Sequence, residues 1–174
     1  MSFQASPAFV VVMGVAGCGK SSLGSALAQA EGLPLIEGDD HHSPTSREKM
    51  RQGIALTDAD REGWLTTLGQ LLQAQPQGAV LTCSALKKAY RDYLRHEIPR
   101  VRFLFLDASR EVVTHRVSAR QGHYMPVSLV TSQFAALERP ENEERVSTVA
   151  ADTGVDAIVQ GYLAELSVKP GAPQ

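Results

Sequence analysis

The octet Gly14-Val15-Ala16-Gly17-Cys18-Gly19-Lys20-Ser21 places glycines, a lysine and a hydroxyl at the spacing G-x-x-x-x-G-K-[ST]. Residues of these types in this order bind phosphate. The glycines let the backbone turn tightly and aim its N–H groups inward, Lys20 brings a mobile positive charge, and Ser21 can set a hydroxyl oxygen on Mg²⁺. The chemistry they point to is the binding of a nucleoside triphosphate.

Moving a phosphoryl group needs a carboxylate near the accepting hydroxyl and cations around the phosphates. Asp39 follows a short apolar run by three residues and is a candidate to face the outermost phosphate. A carboxyl with a reference pKa near 3.9 is ionised but weakly basic, so Asp39 is expected to orient the hydroxyl more than to deprotonate it early. Glu37 or Asp40 is a candidate to reach Mg²⁺ through water. Two histidines follow, and because adjacent residues rarely converge on one ion, His42 is expected to face substrate and His41 to lie on the surface. Lys87, Arg91 and Arg95 recur one helical turn apart, a face that could hold an anion or merely be solvated. Arg116 and Arg120 are also four apart; a helix C-terminus favours cations, and a lid carrying charge onto ATP phosphates would end the same way. Asp107 reads as a strand-end or capping residue ahead of a second Mg²⁺ carboxylate, and Trp64 as core.

These residues need a frame. The run Ala8 to Met13 reads as a buried parallel strand, and the helix it requires begins at Ser22. Further strands are expected at Leu33–Ile36, Ala79–Cys83, Val101–Leu106 and Arg145–Ala150. Helices are expected after the Thr57 to Asp60 capping box, at about Lys87–Arg95, Ser109–Arg120 and Val127–Leu137, and as a closing segment with Val155, Ile158, Val159, Tyr162 and Leu163 on one face. Strands alternating with helices predict an α/β fold: a five-stranded parallel sheet covered on both faces, with right-handed crossovers. Ligands of such sheets bind at the carboxyl ends of the strands, which gathers the phosphate loop, 37–42 and 83–88 at one edge.

A chain of 174 residues, 43% hydrophobic and 21% charged, fits one domain. The core is expected at about 8–167, with a lid at about 118–140 and frayed tails at 1–6 and 168–174. A net charge of −2 lacks the positive field of a general nucleic-acid binder, and no apolar run approaches the length of a membrane span. Cys18 and Cys83 show no metal or disulfide spacing and read as reduced thiols of a cytoplasmic protein.

Taken together, several stretches resemble gluconokinases of the P-loop carbohydrate-kinase type, relatives of shikimate kinase. They are Met13 to Ser21, Gly38-Asp39-Asp40 with His42, Glu48-Lys49-Met50, Gly53 to Arg61 with Trp64-Leu65, and Cys83 to Lys88 with Tyr90-Arg91 and Leu94-Arg95. Arg116 and Arg120 with Gly122-His123, and Ser132-Gln133-Phe134 with Leu137-Glu138 and Pro140, complete the pattern. The resemblance runs from about residue 8 to 165. It implies the three-layer P-loop fold with the strand order of nucleoside monophosphate kinases, a homodimer, and Mg²⁺- and ATP-dependent phosphorylation of the 6-hydroxyl of D-gluconate. By position it implies Asp39 as base, Gly14 to Ser22 as ATP contacts with Lys20 on the phosphates and Ser21 on Mg²⁺, and Arg116 and Arg120 as lid residues near ATP, Arg120 acting in catalysis. His42, Lys49, Arg61 and Lys87 are the implied substrate contacts. Glu37 stands where the family often has Asp, and Ser46 where it often has Asn.

Two alternatives stay open on the residues. One is a P-loop kinase of other specificity, for shikimate or a nucleotide, because fold does not fix substrate. The other is a nucleotide-binding switch; Asp60-Arg61-Glu62-Gly63 matches DxxG, but it lies in an expected helix and no NKxD string accompanies it.

Overall fold

The computed structural model describes residues 7–120 and 126–168. Five strands, β1 (Ala8–Met13), β2 (Leu35–Glu37), β3 (Gly78–Thr82), β4 (Arg102–Asp107) and β5 (Val146–Ala150), pair in parallel in the order β2-β3-β1-β4-β5. This is the expected parallel α/β sheet, with individual strand ends displaced by one or two residues.

Among the described residues seven α-helices connect or flank the strands: α1 (Lys20–Glu31), α2 (Pro44–Arg51), α3 (Asp58–Gln73), α4 (Lys88–Glu97), α5 (Arg110–Ala119), α6 (Val127–Ala136) and α7 (Val155–Val168). Alternation along β1 sorts the core into two layers. Val10 and Val12 meet α1 and α7 through Leu23, Leu27, Ile158 and Tyr162. Val11 and Met13 point the other way, to Leu65, Leu68 and Leu72 of α3 and Leu94 of α4. A continuous apolar strand is therefore buried on both faces, as a parallel sheet requires.

The helix starts are legible locally. The Thr57 hydroxyl accepts from the Asp60 N–H at 3.1 Å and the Asp60 carboxylate accepts from the Thr57 N–H at 2.9 Å, closing the expected capping box on α3. Ser43 caps α2 with Pro44 in its first turn, and Ser109 caps α5. At α1 the cap is Gly19, whose φ of 107° lies in the region that side-chain-bearing residues avoid. The phosphate loop thus enters its helix without a competing side-chain cap, leaving the first-turn N–H groups for a ligand.

Among the described residues no helix is long and apolar enough to cross a membrane. Residues 1–6, 121–125 and 169–174 lie outside the described residues, and with them part of the expected lid, most of the expected tails, and Gly122-His123.

Candidate active site

Two cavities open at the carboxyl edge of the sheet, one on each side of the phosphate loop. The larger, about 600 Å³, is lined by Gly17, Cys18, Gly19 and Ser22, by Arg116 and Arg120 at the end of α5, and by the 151–155 turn. The smaller, about 90 Å³, is lined by Ala16, Asp39, His42, Arg61, Trp64 and Ser84, with Leu129, Ser132 and Gln133 of α6 closing it. The loop therefore presents Gly17 to Gly19 to one cavity and Ala16 to the other.

Lys20 folds back over the loop, its Nζ donating to the carbonyls of Gly14 at 3.0 Å and Val15 at 3.1 Å. Arg116 is fixed by donating to the Cys18 carbonyl at 2.6 Å and the Ala151 carbonyl at 3.1 Å. Arg120, exposed at the C-terminal cap of α5, lines the same cavity. The expected nucleotide contacts Gly17, Cys18, Gly19, Ser22, Arg116 and Arg120 thus share one cleft.

At the end of β2, Glu37 lies beside the start of α1. The Ser21 hydroxyl donates to Glu37 Oε2 at 3.1 Å, and the Thr82 hydroxyl donates to the same oxygen. Thr82 in turn accepts from the Gly38 N–H at 3.3 Å. Two hydroxyls and a carboxylate form a hard oxygen cluster beside the phosphate loop, a donor set that suits Mg²⁺. Gly38 belongs to this packing for a steric reason: a Cβ there would lie 2.2 Å from the Thr82 carbonyl oxygen. The sequence marks Thr82 as a strand residue and not as part of a site; a polar residue near the end of an otherwise apolar strand is the signal that points to it.

Asp39 sits in a single 3-10 turn, Gly38–His41, with its side chain largely open to the acceptor-side cavity. His42 Nε2 is 3.6 Å from Asp39 Oδ1, and the His42 ring stacks on Trp64 with centroids 4.3 Å apart. Trp64 Nε1 donates to the Gly38 carbonyl at 2.7 Å. The His42 imidazole beside Asp39, seconded by the positive charge of Lys20, holds its carboxyl below the usual carboxylate value against the desolvation of the cleft. Trp64 is buried as expected, but it also forms the wall that orients His42.

The candidate substrate cations part company. Arg61 lines the cavity, donating to the Leu56 carbonyl at 2.7 Å and lying over the Tyr90 ring. Lys49 is held by Asp60 at 2.8 Å and Lys87 by Asp58 at 2.8 Å, and neither lines the cavity. The shared face of Lys87, Arg91 and Arg95 is not an anion site. Arg91 is fully buried, donating to the Ala85 and Leu86 carbonyls and to Glu143, and Arg95 also pairs with Glu143. These bonds fix the turn after β3, where Ala85 takes a φ of 45°, and so place Ser84 at the cavity. Asp107 is claimed by a two-pronged pair with Arg139, at 3.0 and 2.6 Å.

A family model described as shikimate kinase matches residues 16–159. A gluconokinase of Gluconobacter oxydans is 43% identical over 88% of each chain. The thermosensitive gluconokinase of Escherichia coli is 44% identical over 78% of this chain and 74% of its own. The crystal structure of a gluconokinase from Sinorhizobium meliloti superposes with a TM-score of 0.85 at 46% identity, covering 92% of both chains. With the phosphate loop, the sheet order and these likenesses in agreement, the chain belongs to the gluconokinase family of P-loop kinases.

Proposed function

We propose that this chain is an ATP-dependent gluconokinase that transfers the γ-phosphoryl group of ATP to the 6-hydroxyl of D-gluconate, yielding 6-phospho-D-gluconate and ADP. The observation that carries the reading is the cavity shared by Ala16 of the phosphate loop, Asp39 and Arg61. It sets a carboxylate and a cation opposite the loop, which suits a linear acid with a carboxylate at one end and a primary alcohol at the other.

In this reading the loop from Gly14 to Ser22 holds the triphosphate, its free backbone N–H groups facing the phosphates, and Lys20 leaves the loop carbonyls for the phosphates. Arg116 and Arg120 neutralise charge from the nucleotide side. Asp39 accepts the hydrogen bond of the 6-hydroxyl and aims its oxygen at the γ-phosphorus. A P–O bond forms there as the bond to the β-phosphate oxygen breaks, ADP leaves, and the hydroxyl proton passes to Asp39 and on to solvent. Ser21, with Glu37 behind it, would hold Mg²⁺, which supplies charge neutralisation on the phosphates. Arg61 holds the acceptor's carboxylate and His42 keeps Asp39 ionised and placed. Lys49 and Lys87 act from the rim by fixing Asp60 and Asp58 at the start of α3.

The acceptor-side cavity, about 90 Å³, is closed on one side by Leu129, Ser132 and Gln133 of α6. In this reading α6, part of the lid at about 118–140, opens for the acceptor to enter and returns to the loop over it, restoring the contact between Gln133 and Ala16. The same reading takes the chain as one domain, a homodimer by family likeness, and a cytoplasmic enzyme whose two cysteines are buried free thiols.

The test is acceptor-dependent ADP release with Mg²⁺ and ATP across gluconate, other sugar acids, shikimate and nucleoside monophosphates, with the product located by phosphorus NMR. Gluconate is expected to give the highest kcat/KM and a phosphate on carbon 6. Preferred turnover of shikimate or a nucleotide overturns the reading.

A further inference from the structure

We propose that Gln133 is a substrate-positioning residue, joining the phosphate loop to the acceptor and supplying hydrogen-bond donors to the acceptor's hydroxyl oxygens. The inference rests on the gluconokinase reading. Gln133 lies one turn after buried Leu129 on the inward face of α6, and its Oε1 accepts from the Ala16 N–H at 3.0 Å across 117 positions of chain. Ala16 is the loop residue that faces the acceptor-side cavity, and Gln133 lines that same cavity with Asp39, His42 and Arg61.

The Ala16 contact settles which way the side-chain amide points. A backbone N–H can only donate, so it must face the carbonyl oxygen, and the NH₂ group is left on the other side of the amide plane. No described residue accepts from that NH₂. The polar groups of the cavity are then complementary to a polyhydroxylated acid. Asp39 accepts from the reacting hydroxyl, Arg61 answers the carboxylate, and Gln133 donates to a hydroxyl oxygen along the carbon chain. Because its other end is tied to Ala16, an acceptor held by Gln133 is held at a fixed distance from the phosphate loop, the condition for in-line attack. The arrangement favours acceptors with a hydroxyl beside the reacting one over acids of the same length that lack it.

Gln133→Met keeps the length and volume of the side chain and removes both polar ends. It is expected to raise the KM for gluconate by about tenfold or more, while the Kd for a non-hydrolysable ATP analogue stays within about threefold. It should also narrow the preference for gluconate over its 5-deoxy analogue. A residue that merely braced the loop would weaken ATP and gluconate in step, and that result overturns the proposal, as do gluconate constants within about threefold of wild type. If the Met variant fails to fold, Gln133→Asn, one methylene too short to serve both partners, decides by the same split. Absence of gluconate turnover by the wild-type protein is a separate result: it overturns the parent reading and this one with it.

Discussion

His42 Nε2 stands 3.6 Å from Asp39 Oδ1, with the imidazole buried against Trp64 while the carboxylate opens to the cleft. A rigid, partly desolvated group is thus set beside a solvated one. The imidazole is the chief cause of the lowered Asp39 pKa, so Asp39 stays ionised to a lower pH than an ordinary aspartate. Activity that needs the ionised form is lost only as pH falls through that lowered value.

Replacing His42 with Phe keeps an aromatic ring on Trp64 and removes the nitrogen. The Asp39 titration, followed by carboxyl carbon NMR, should move up toward the ordinary value near 3.9, and the acid limb of kcat/KM should move up with it. An unmoved titration would show that His42 does not set the charge of Asp39.

Arg61 and Lys87 are separated by the same logic. Arg61 lines the acceptor-side cavity, whereas Lys87 is held by Asp58, which also accepts from the Tyr90 hydroxyl. Arg61→Ala is expected to raise the KM for gluconate by roughly tenfold to a hundredfold, the value of a charge-assisted hydrogen bond. Lys87→Ala, which removes a largely solvated pair, should change it by less than about threefold. The reverse order in steady-state kinetics would move the carboxylate site to Lys87.

Glu143 carries the stability of the turn after β3. Burial pushes its carboxyl up, but the guanidiniums of Arg91 and Arg95 together outweigh this and hold it below its ordinary value. A carboxyl lowered in the folded state stabilises above its unfolded pKa, and that contribution is lost as pH falls through the folded value. Glu143→Gln leaves Arg91 buried without its partner charge and should cost about 3–5 kcal/mol in urea unfolding at neutral pH, with a smaller difference from wild type in acid. A cost that does not shrink in acid would contradict this role.

Cys83 directly follows β3 with a buried side chain, and burial pushes its thiol up to about 12. The thiolate that reacts with alkylating agents is therefore nearly absent at neutral pH. Mass spectrometry after iodoacetamide treatment should find Cys83 unmodified in the native protein and modified in urea. Rapid native labelling would place it outside the core.

The phosphate loop, the sheet and the α3 capping box were legible because their signals are local: a fixed motif, runs of buried residues, and Thr57 three positions before Asp60. Three features were not. Helix α2 has Met50 as its one apolar residue and no hydrophobic period; its signal is the Ser43 cap followed by Pro44. Arg91 shares a helical face with Lys87 and Arg95 and so looks solvated, since its partner Glu143 is 52 residues away. The pairing of Lys49 with Asp60, whose other bond is the α3 cap, joins two helices and leaves no local pattern in the sequence. Local patterns set elements and motifs; which of several cations stays unpaired in the cleft is decided by tertiary contacts.

The central claim is that the loop grips the triphosphate while Asp39 aims the acceptor, and the kcat of Asp39→Asn with gluconate tests it most directly. Phosphorylation is expected to fall by at least about a hundredfold while binding of an ATP analogue stays within about threefold of wild type. Near-normal kcat in the folded variant would contradict the account.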